Sequence, residues 1–90
     1  MFQLILTDVY LKRESKWLKK YPHLAASYAK TLKILEKNPF HPSLKLHRLR
    51  GQLSSFYAAS INDSYRIVLE FLISEYTITL INVGDHDAVY

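Results

Sequence analysis

The amino-acid sequence predicts a single α+β domain with elements in the order β-α-α-β-β-β. An N-terminal helical hairpin is expected to pack on one face of a twisted, mostly antiparallel four-stranded sheet. Apolar residues recur at helical spacing in residues 9–38, whereas residues 53–83 alternate with the period of two typical of strands. A chain of 90 residues is also the size of one domain, so we assign residues 1–90 to one unit.

The N-terminal part is predicted to form one strand and then two helices. Residues 2–6 are a short apolar run rich in strand formers, and the side-chain oxygen of Thr7 can cap the helix that follows. Residues 9–21 place apolar side chains on one stripe among many Lys and Arg. A second helix starts at Pro22, because Pro is tolerated in a first helical turn, and Pro39 follows its end.

The C-terminal part is predicted to form the rest of the sheet. Residues 40–51 have no clear apolar period, and we interpret them as an ordered loop that carries several basic side chains. Three antiparallel strands joined by short turns follow, and the chain from Gly84 to Tyr90 is expected to leave the sheet. The three predicted strands are residues 53–61, 65–72 and 76–83.

Charge is distributed unevenly along the chain. Residues 12–50 contain eleven Lys or Arg and two Glu, a net charge of +9, whereas residues 51–90 contain one Arg and five acidic residues, a net charge of −4. This asymmetry favours a polyanion such as nucleic acid, or an acidic protein partner. A set of solvated helix faces is the alternative. The chain has no Cys, no signal-peptide pattern and no long apolar run, which favours a cytoplasmic location without membrane contact.

Candidate catalytic residues are limited to His, Arg and Tyr. The sequence lacks a Gly-rich phosphate loop, a Gly-x-Ser-x-Gly turn and a His-Glu-x-x-His zinc motif. RNA can be cleaved without a metal, because its own 2′-OH attacks the adjacent phosphate once a base removes the proton. His suits the proton transfers near neutral pH, Arg suits the phosphate, and an aromatic ring can stack on a base.

Three short motifs carry a resemblance to a known family. They are Leu46-His47-Arg48-Leu49-Arg50-Gly51, then Ser64-Tyr65-Arg66-Ile67-Val68, and finally Val83-Gly84-Asp85-His86-Asp87-Ala88-Val89-Tyr90. In order and spacing this pattern resembles the YafQ-like branch of the RelE/ParE toxins, which have a RelE-like microbial RNase fold. With the predicted element order, the resemblance covers nearly all 90 residues.

The resemblance implies the toxin of a type II toxin–antitoxin system. Such a toxin is a ribosome-dependent endoribonuclease, an mRNA interferase that cleaves the codon in the A site and inhibits translation without a metal or a small-molecule cofactor. His86 and His47 would handle protons, Arg66 would hold the phosphate and Tyr90 would stack on or orient the codon. The expected partners are mRNA on the ribosome, ribosomal RNA and an antitoxin protein. RNA-binding side chains are expected in the basic loop, namely Lys45, Arg48 and Arg50.

The sequence also departs from the family pattern. The family often has an Arg two residues before the glycine of the last motif, where this chain has the neutral Asn82. Two further positions, His and Asp in YafQ-type sites, are Ser60 and Ser64 here. Two alternatives therefore stay open. One is a ParE-like inhibitor of DNA gyrase, and the other is a catalytically impaired domain that binds RNA or an antitoxin.

Overall fold

A computed structural model describes residues 1–85 of the chain and shows two helices packed on a five-stranded mixed sheet. The α+β class and the helical hairpin on one sheet face are confirmed. In residues 1–85, no helix is long and apolar enough to cross a membrane. The elements are β1 Gln3–Leu6, α1 Asp8–Lys20, α2 Ala25–Lys37, β2 His47–Arg48, β3 Tyr57–Ser60, β4 Tyr65–Leu72 and β5 Thr77–Asp85.

The two helices begin and end where the local sequence predicts. Thr7 caps α1, because its Oγ1 accepts a hydrogen bond from the backbone N–H of Tyr10 at 3.2 Å. The helix stops at Tyr21, and a short 3₁₀ turn at Pro22–Leu24 leads into α2. The predicted helix start at Pro22 is therefore correct in position, but its first turn is 3₁₀ rather than α.

The strands follow the order β1-β5-β4-β3-β2 across the sheet. β1 pairs with β5 in parallel, and every other neighbouring pair is antiparallel. The fifth strand, β2, lies in the predicted loop and has two residues paired with β3. β5 also runs further than predicted, because Gly84 and Asp85 are still paired with β4 instead of leaving the sheet.

The main core lies between the helices and one face of the sheet. It contains large aromatic side chains from both helices, including Tyr10, Trp17 and Tyr28, packed on aliphatic residues of β4 and β5. Burial at this face provides most of the apolar surface removed from water, and it stabilises the fold accordingly. The opposite face, hereafter the open face, has a smaller cluster of buried side chains, Leu49, Ala58 and Val68.

A β-bulge interrupts the pairing of β4 with β5. The register changes between Val68 and Leu69, so Leu69 lies opposite Leu80 while Val68 lies opposite Asn82. Ile81 is therefore the extra residue of the bulge. Its carbonyl oxygen accepts a hydrogen bond from Nη1 of Arg13 at 2.8 Å, which ties α1 to this point of β5.

Candidate nucleic-acid interface

Strand pairing brings two of the predicted site residues to the open face. His47 pairs with Ala58, which pairs with Val68, and directly paired residues share a face. Arg66 pairs with Ser60 on β3, two residues further along, so His47 and Arg66 lie on the same side of the sheet. Strand spacing and rise place their Cα atoms on the order of 12 Å apart. Long side chains at that separation can reach a common group.

Arg66 lies in a row across the sheet that has small neighbours. Ser60 flanks it on β3 and Gly84 flanks it on β5. Neither neighbour has a large side chain, so this row leaves room beside the guanidinium for an approaching anion. Its fork of N–H donors suits a phosphate in geometry and charge.

His47 is exposed on the edge strand β2. Its Nδ1 lies 3.1 Å from the carbonyl oxygen of Lys45. A carbonyl oxygen only accepts, so this contact requires the proton on Nδ1 and makes Nε2 the acceptor nitrogen of the neutral ring. That tautomer suits a general base.

The three predicted RNA-binding side chains are exposed but do not form one group with His47. Arg48 pairs with Tyr57, whose ring belongs to the helix-side core, so Arg48 lies on the opposite face from His47. Its Nε donates to the carbonyl of Ser54. Lys45 has a left-handed backbone conformation and an Nζ atom 3.8 Å from Oδ1 of Asp63, a weak ion pair at this exposure. Arg50 is extended and exposed.

The hairpin between β3 and β4 is held by a side-chain hydrogen-bond acceptor. Oδ1 of Asn62 accepts from the backbone N–H groups of Ser64 and Tyr65, at 2.9 and 2.8 Å. This turn fixes the start of β4 and therefore the position of Arg66. Asn82 has a similar local contact, since its Oδ1 accepts from the backbone N–H of Val83 at 2.9 Å.

His86 and Tyr90, the remaining predicted catalytic residues, lie outside the described residues. The last described residues of that motif, Gly84 and Asp85, pair with Arg66 and Tyr65. Two of the three sequence motifs that carry the resemblance therefore meet side by side in the sheet.

A second concave feature was not predicted from the sequence. A cleft of about 300 Å³ lies between α1 and the end of β5, on the helix side of the sheet. A sequence signal for it exists, since Arg13, Lys16 and Lys20 lie on one stripe of α1 next to Trp17. The residues that form its walls are Arg13, Lys16, Trp17, Lys20, Tyr21, Tyr65, Asn82, Val83, Gly84 and Asp85.

The fold matches that of solved toxin structures. YafQ from E. coli strain BL21(DE3) superposes with a TM-score of 0.80 at 13% identity, covering 100% of this chain and 99% of that chain. A YoeB/ParE toxin from Agrobacterium tumefaciens gives 0.73 at 17% identity, covering 94% and 99%. A chain of the E. coli DinJ–YafQ toxin–antitoxin complex gives 0.69 at 19% identity, covering 99% and 97%.

The architecture is thus one that these solved toxin structures share. The likeness to the YafQ structure extends over the full length of this chain. Neither a scan of protein-family models nor a search of curated protein sequences finds a match. At these sequence identities the likeness concerns the fold, and the activity has to be argued from the residues of the site.

Proposed function

We propose that this protein is the toxin of a type II toxin–antitoxin system and acts as an endoribonuclease on mRNA in the ribosomal A site. The observation that carries the proposal is the pairing of Gly84 with Arg66, which brings the start of the Gly84-Asp85-His86 motif next to the side chain that we propose as the phosphate ligand. The YafQ-type fold and the position of His47 on the same open face support it.

The proposed reaction is attack of a ribose 2′-OH on the adjacent phosphorus. A bond forms between the 2′-oxygen and phosphorus, the bond to the 5′-oxygen breaks, and the products are a 2′,3′-cyclic phosphate and a 5′-hydroxyl. One of His86 and His47 takes the proton of the 2′-OH, and the other gives a proton to the departing 5′-oxygen. Arg66 stabilises the negative charge that develops on the phosphorane oxygens. Tyr90 stacks on the codon, and Lys45, Arg48 and Arg50 contact RNA phosphates.

The proposed protein partner is an antitoxin, by analogy with the DinJ–YafQ complex. The net charge of +9 over residues 12–50 suits an acidic segment of such a partner. We expect the protein to act in the cytoplasm, where ribosomes and mRNA are found.

One observation favours a second candidate, a domain that binds RNA or an antitoxin but cleaves slowly. Asn82 occupies the position where the family often has an Arg, and its oxygen accepts from the neighbouring backbone. A neutral side chain cannot stabilise a phosphorane by charge. Arg66 would then be the main cationic group on the open face.

The decisive experiment maps cleavage of a defined mRNA, with and without programmed ribosomes. Wild-type protein is compared with His86→Ala and with His23→Ala, an exposed histidine in the 3₁₀ turn between α1 and α2 that serves as a matched control. We expect ribosome-dependent, codon-phased cuts that persist in His23→Ala and fall roughly 10²- to 10⁴-fold in His86→Ala. Binding without cuts would favour the second candidate. No cuts and no RNA binding would exclude the nuclease and make a gyrase assay the next step.

A further inference from the structure

The cleft beside α1 has the features of a ligand site that is separate from the open face. At about 300 Å³ it lies at the lower end of the volumes found for small-molecule sites. It faces the helix side of the sheet, whereas Arg66 and His47 lie on the other side. Gly84, which forms part of the cleft wall, also pairs with Arg66, so the two sites adjoin at β5.

The floor of the cleft is aromatic. The ring of Trp17 packs against Tyr65 with centroids 5.6 Å apart, and Tyr21 packs against Tyr65 at 4.8 Å. Tyr21 and Tyr65 are both partly exposed, so their rings can contact a planar ligand. A hydrogen bond to Tyr21, together with burial and the nearby charges of Tyr21 and Asp85, raises the pKa of Tyr65. A tyrosine phenol is neutral at physiological pH even without such a shift, so Tyr65 does not repel an anion.

One buried donor in the wall of this cleft lacks an acceptor. Trp17 is 6% exposed, and its indole Nε1 has no hydrogen-bond partner among residues 1–85. Buried N–H groups are nearly always paired, with protein, water or a ligand. This atom has almost no accessible surface, so Trp17 contributes its ring, and not a hydrogen bond, to the wall of the cleft.

Three cationic side chains form the helix side of the cleft. Arg13, Lys16 and Lys20 are spaced three and four residues apart, so they lie along one stripe of α1. Lys20 also places Nζ 5.5 Å from the centre of the Tyr21 ring. Within residues 1–85, the carboxylate that forms part of the cleft wall is Asp85, at the strand side. An anionic group is therefore favoured next to α1 and disfavoured next to β5.

We propose that this cleft binds a nucleotide, with its phosphate at Lys16 and Lys20 and its base against Tyr21 and Tyr65. Aromatic rings beside cationic side chains are the combination that binds single nucleotides and single-stranded nucleic acids. Arg13 adds charge, although one of its N–H groups already donates to Ile81. The ligand is either a free nucleotide or one nucleotide of an RNA strand. The inference does not depend on the proposed cleavage reaction.

Trp17 is the only Trp in the chain, so its fluorescence and its single indole N–H resonance report on the cleft. The full-length protein is titrated with AMP, with inorganic phosphate and with a short single-stranded RNA. The RNA carries 2′-O-methyl riboses and cannot be cleaved by 2′-OH attack, so binding is measured apart from catalysis.

The test variant is Lys16→Gln/Lys20→Gln, and its matched control is Lys12→Gln/Lys19→Gln. Both pairs are exposed on α1 and remove two charges, but the second pair does not form part of the cleft wall. We expect AMP or RNA to shift the indole resonance and to bind roughly tenfold more weakly to the cleft variant. The control variant should change affinity less than about twofold.

The two ligand arms identify the source of the nucleotide. Binding of AMP indicates a free nucleotide, and binding of RNA alone indicates a nucleotide within a strand; either supports the proposal if the cleft variant is selectively weakened. The proposal is overturned if phosphate binds as well as AMP, if both variants lose affinity equally, or if neither ligand shifts the Trp17 signal. A shift produced by an acidic peptide alone would also overturn it.

Discussion

The two faces of the sheet differ in what their side chains can do. The helix-covered face buries large residues such as Tyr10, Leu69 and Leu80, each with no exposed surface. The open face has the small cluster around Val68 and the polar or basic side chains of His47, Ser60 and Arg66. Alternate residues of one strand therefore differ in role. Those on the helix-covered face stabilise the fold, and those on the open face are the candidate catalytic and binding residues.

Because of this division, the open face can carry basic side chains while the helix-covered face contains the larger apolar core. The strands are positioned by the buried face, so the open face needs only a small apolar cluster. Substitutions on the two faces should accordingly be separable into losses of stability and losses of activity.

The largest expected effect is on activity, at Arg66. Arg66→Gln should lower the rate of RNA cleavage roughly 10²- to 10³-fold, because a group that stabilises transition-state charge is removed. Arg66→Lys should recover only part of the rate, since Lys lacks the planar fork. Lys33→Gln, on the exposed side of α2, is the control for net charge. An unchanged rate in Arg66→Gln would show that the open face is not the reaction site.

The next largest effect is expected from Leu→Ala substitutions, which can be compared between the two faces of the sheet. Leu69→Ala, in the helix-side core, should reduce the free energy of unfolding by about 2–5 kcal/mol. Leu49→Ala, in the open-face cluster with 6% exposure, should cost about 2 kcal/mol or less, because fewer atoms surround the deleted group. Urea denaturation measures both. Equal losses would mean that the two clusters stabilise the fold alike.

The smallest effect concerns a buried hydrogen-bond chain in the helical hairpin. The Tyr28 hydroxyl donates to Oε2 of Glu14 and lies 2.6 Å from the hydroxyl of Tyr10. Tyr28→Phe leaves the Tyr10 hydroxyl buried without this partner and should cost about 1–3 kcal/mol in urea denaturation. Tyr76→Phe, at an exposed position, should change little. Equal losses of unfolding free energy in Tyr28→Phe and Tyr76→Phe would contradict a stabilising role for the buried hydrogen bonds.

The buried hydroxyl groups of Tyr10 and Tyr28 also predict that the protein loses stability at alkaline pH. Burial is the main cause that raises the pKa of Tyr10 and of Tyr28 above the ordinary value of 10.0. The folded state therefore keeps these protons when the unfolded chain has lost them. The stabilisation is complete below pH 10 and is lost as the pH rises towards the folded-state values. Tyr28→Phe should show a smaller decline above pH 10 than the wild type, as measured by denaturation at several pH values.

Most of the fold could be predicted because its signals are local. β4 occupies residues 65–72 as its alternation indicates, and Thr7 caps α1. β2 could not be predicted, since a two-residue strand has no period of its own and exists through pairing with β3. β3 begins at Tyr57 instead of residue 53, because residues 51–53 form a 3₁₀ turn.

Less of the candidate site than of the fold could be predicted from the sequence. The alternation of apolar residues predicted that Arg66 lies on a strand. Only the strand register shows that Ser60 and Gly84 flank it. The sequence suggested that the basic side chains of residues 40–51 form one group, whereas strand pairing places Arg48 and His47 on opposite faces of the sheet. The roles of His86 and Tyr90 remain predictions that the described residues do not test.

The bulge at Ile81 determines which face of the sheet each of residues 82–85 occupies. Leu80 and Val83 both enter the helix-side core although three positions apart, and Gly84 consequently lies beside Arg66. In a regular strand Val83 would occupy that place, and Gly84 and Asp85 would swap sides. Regular pairing of Ile81 with Val68 would thus move Gly84 to the helix side of the sheet without altering any motif, whereas deleting Ile81 would remove the bulge and keep Gly84 opposite Arg66. The bulge, and not the motif alone, determines which face Gly84 occupies.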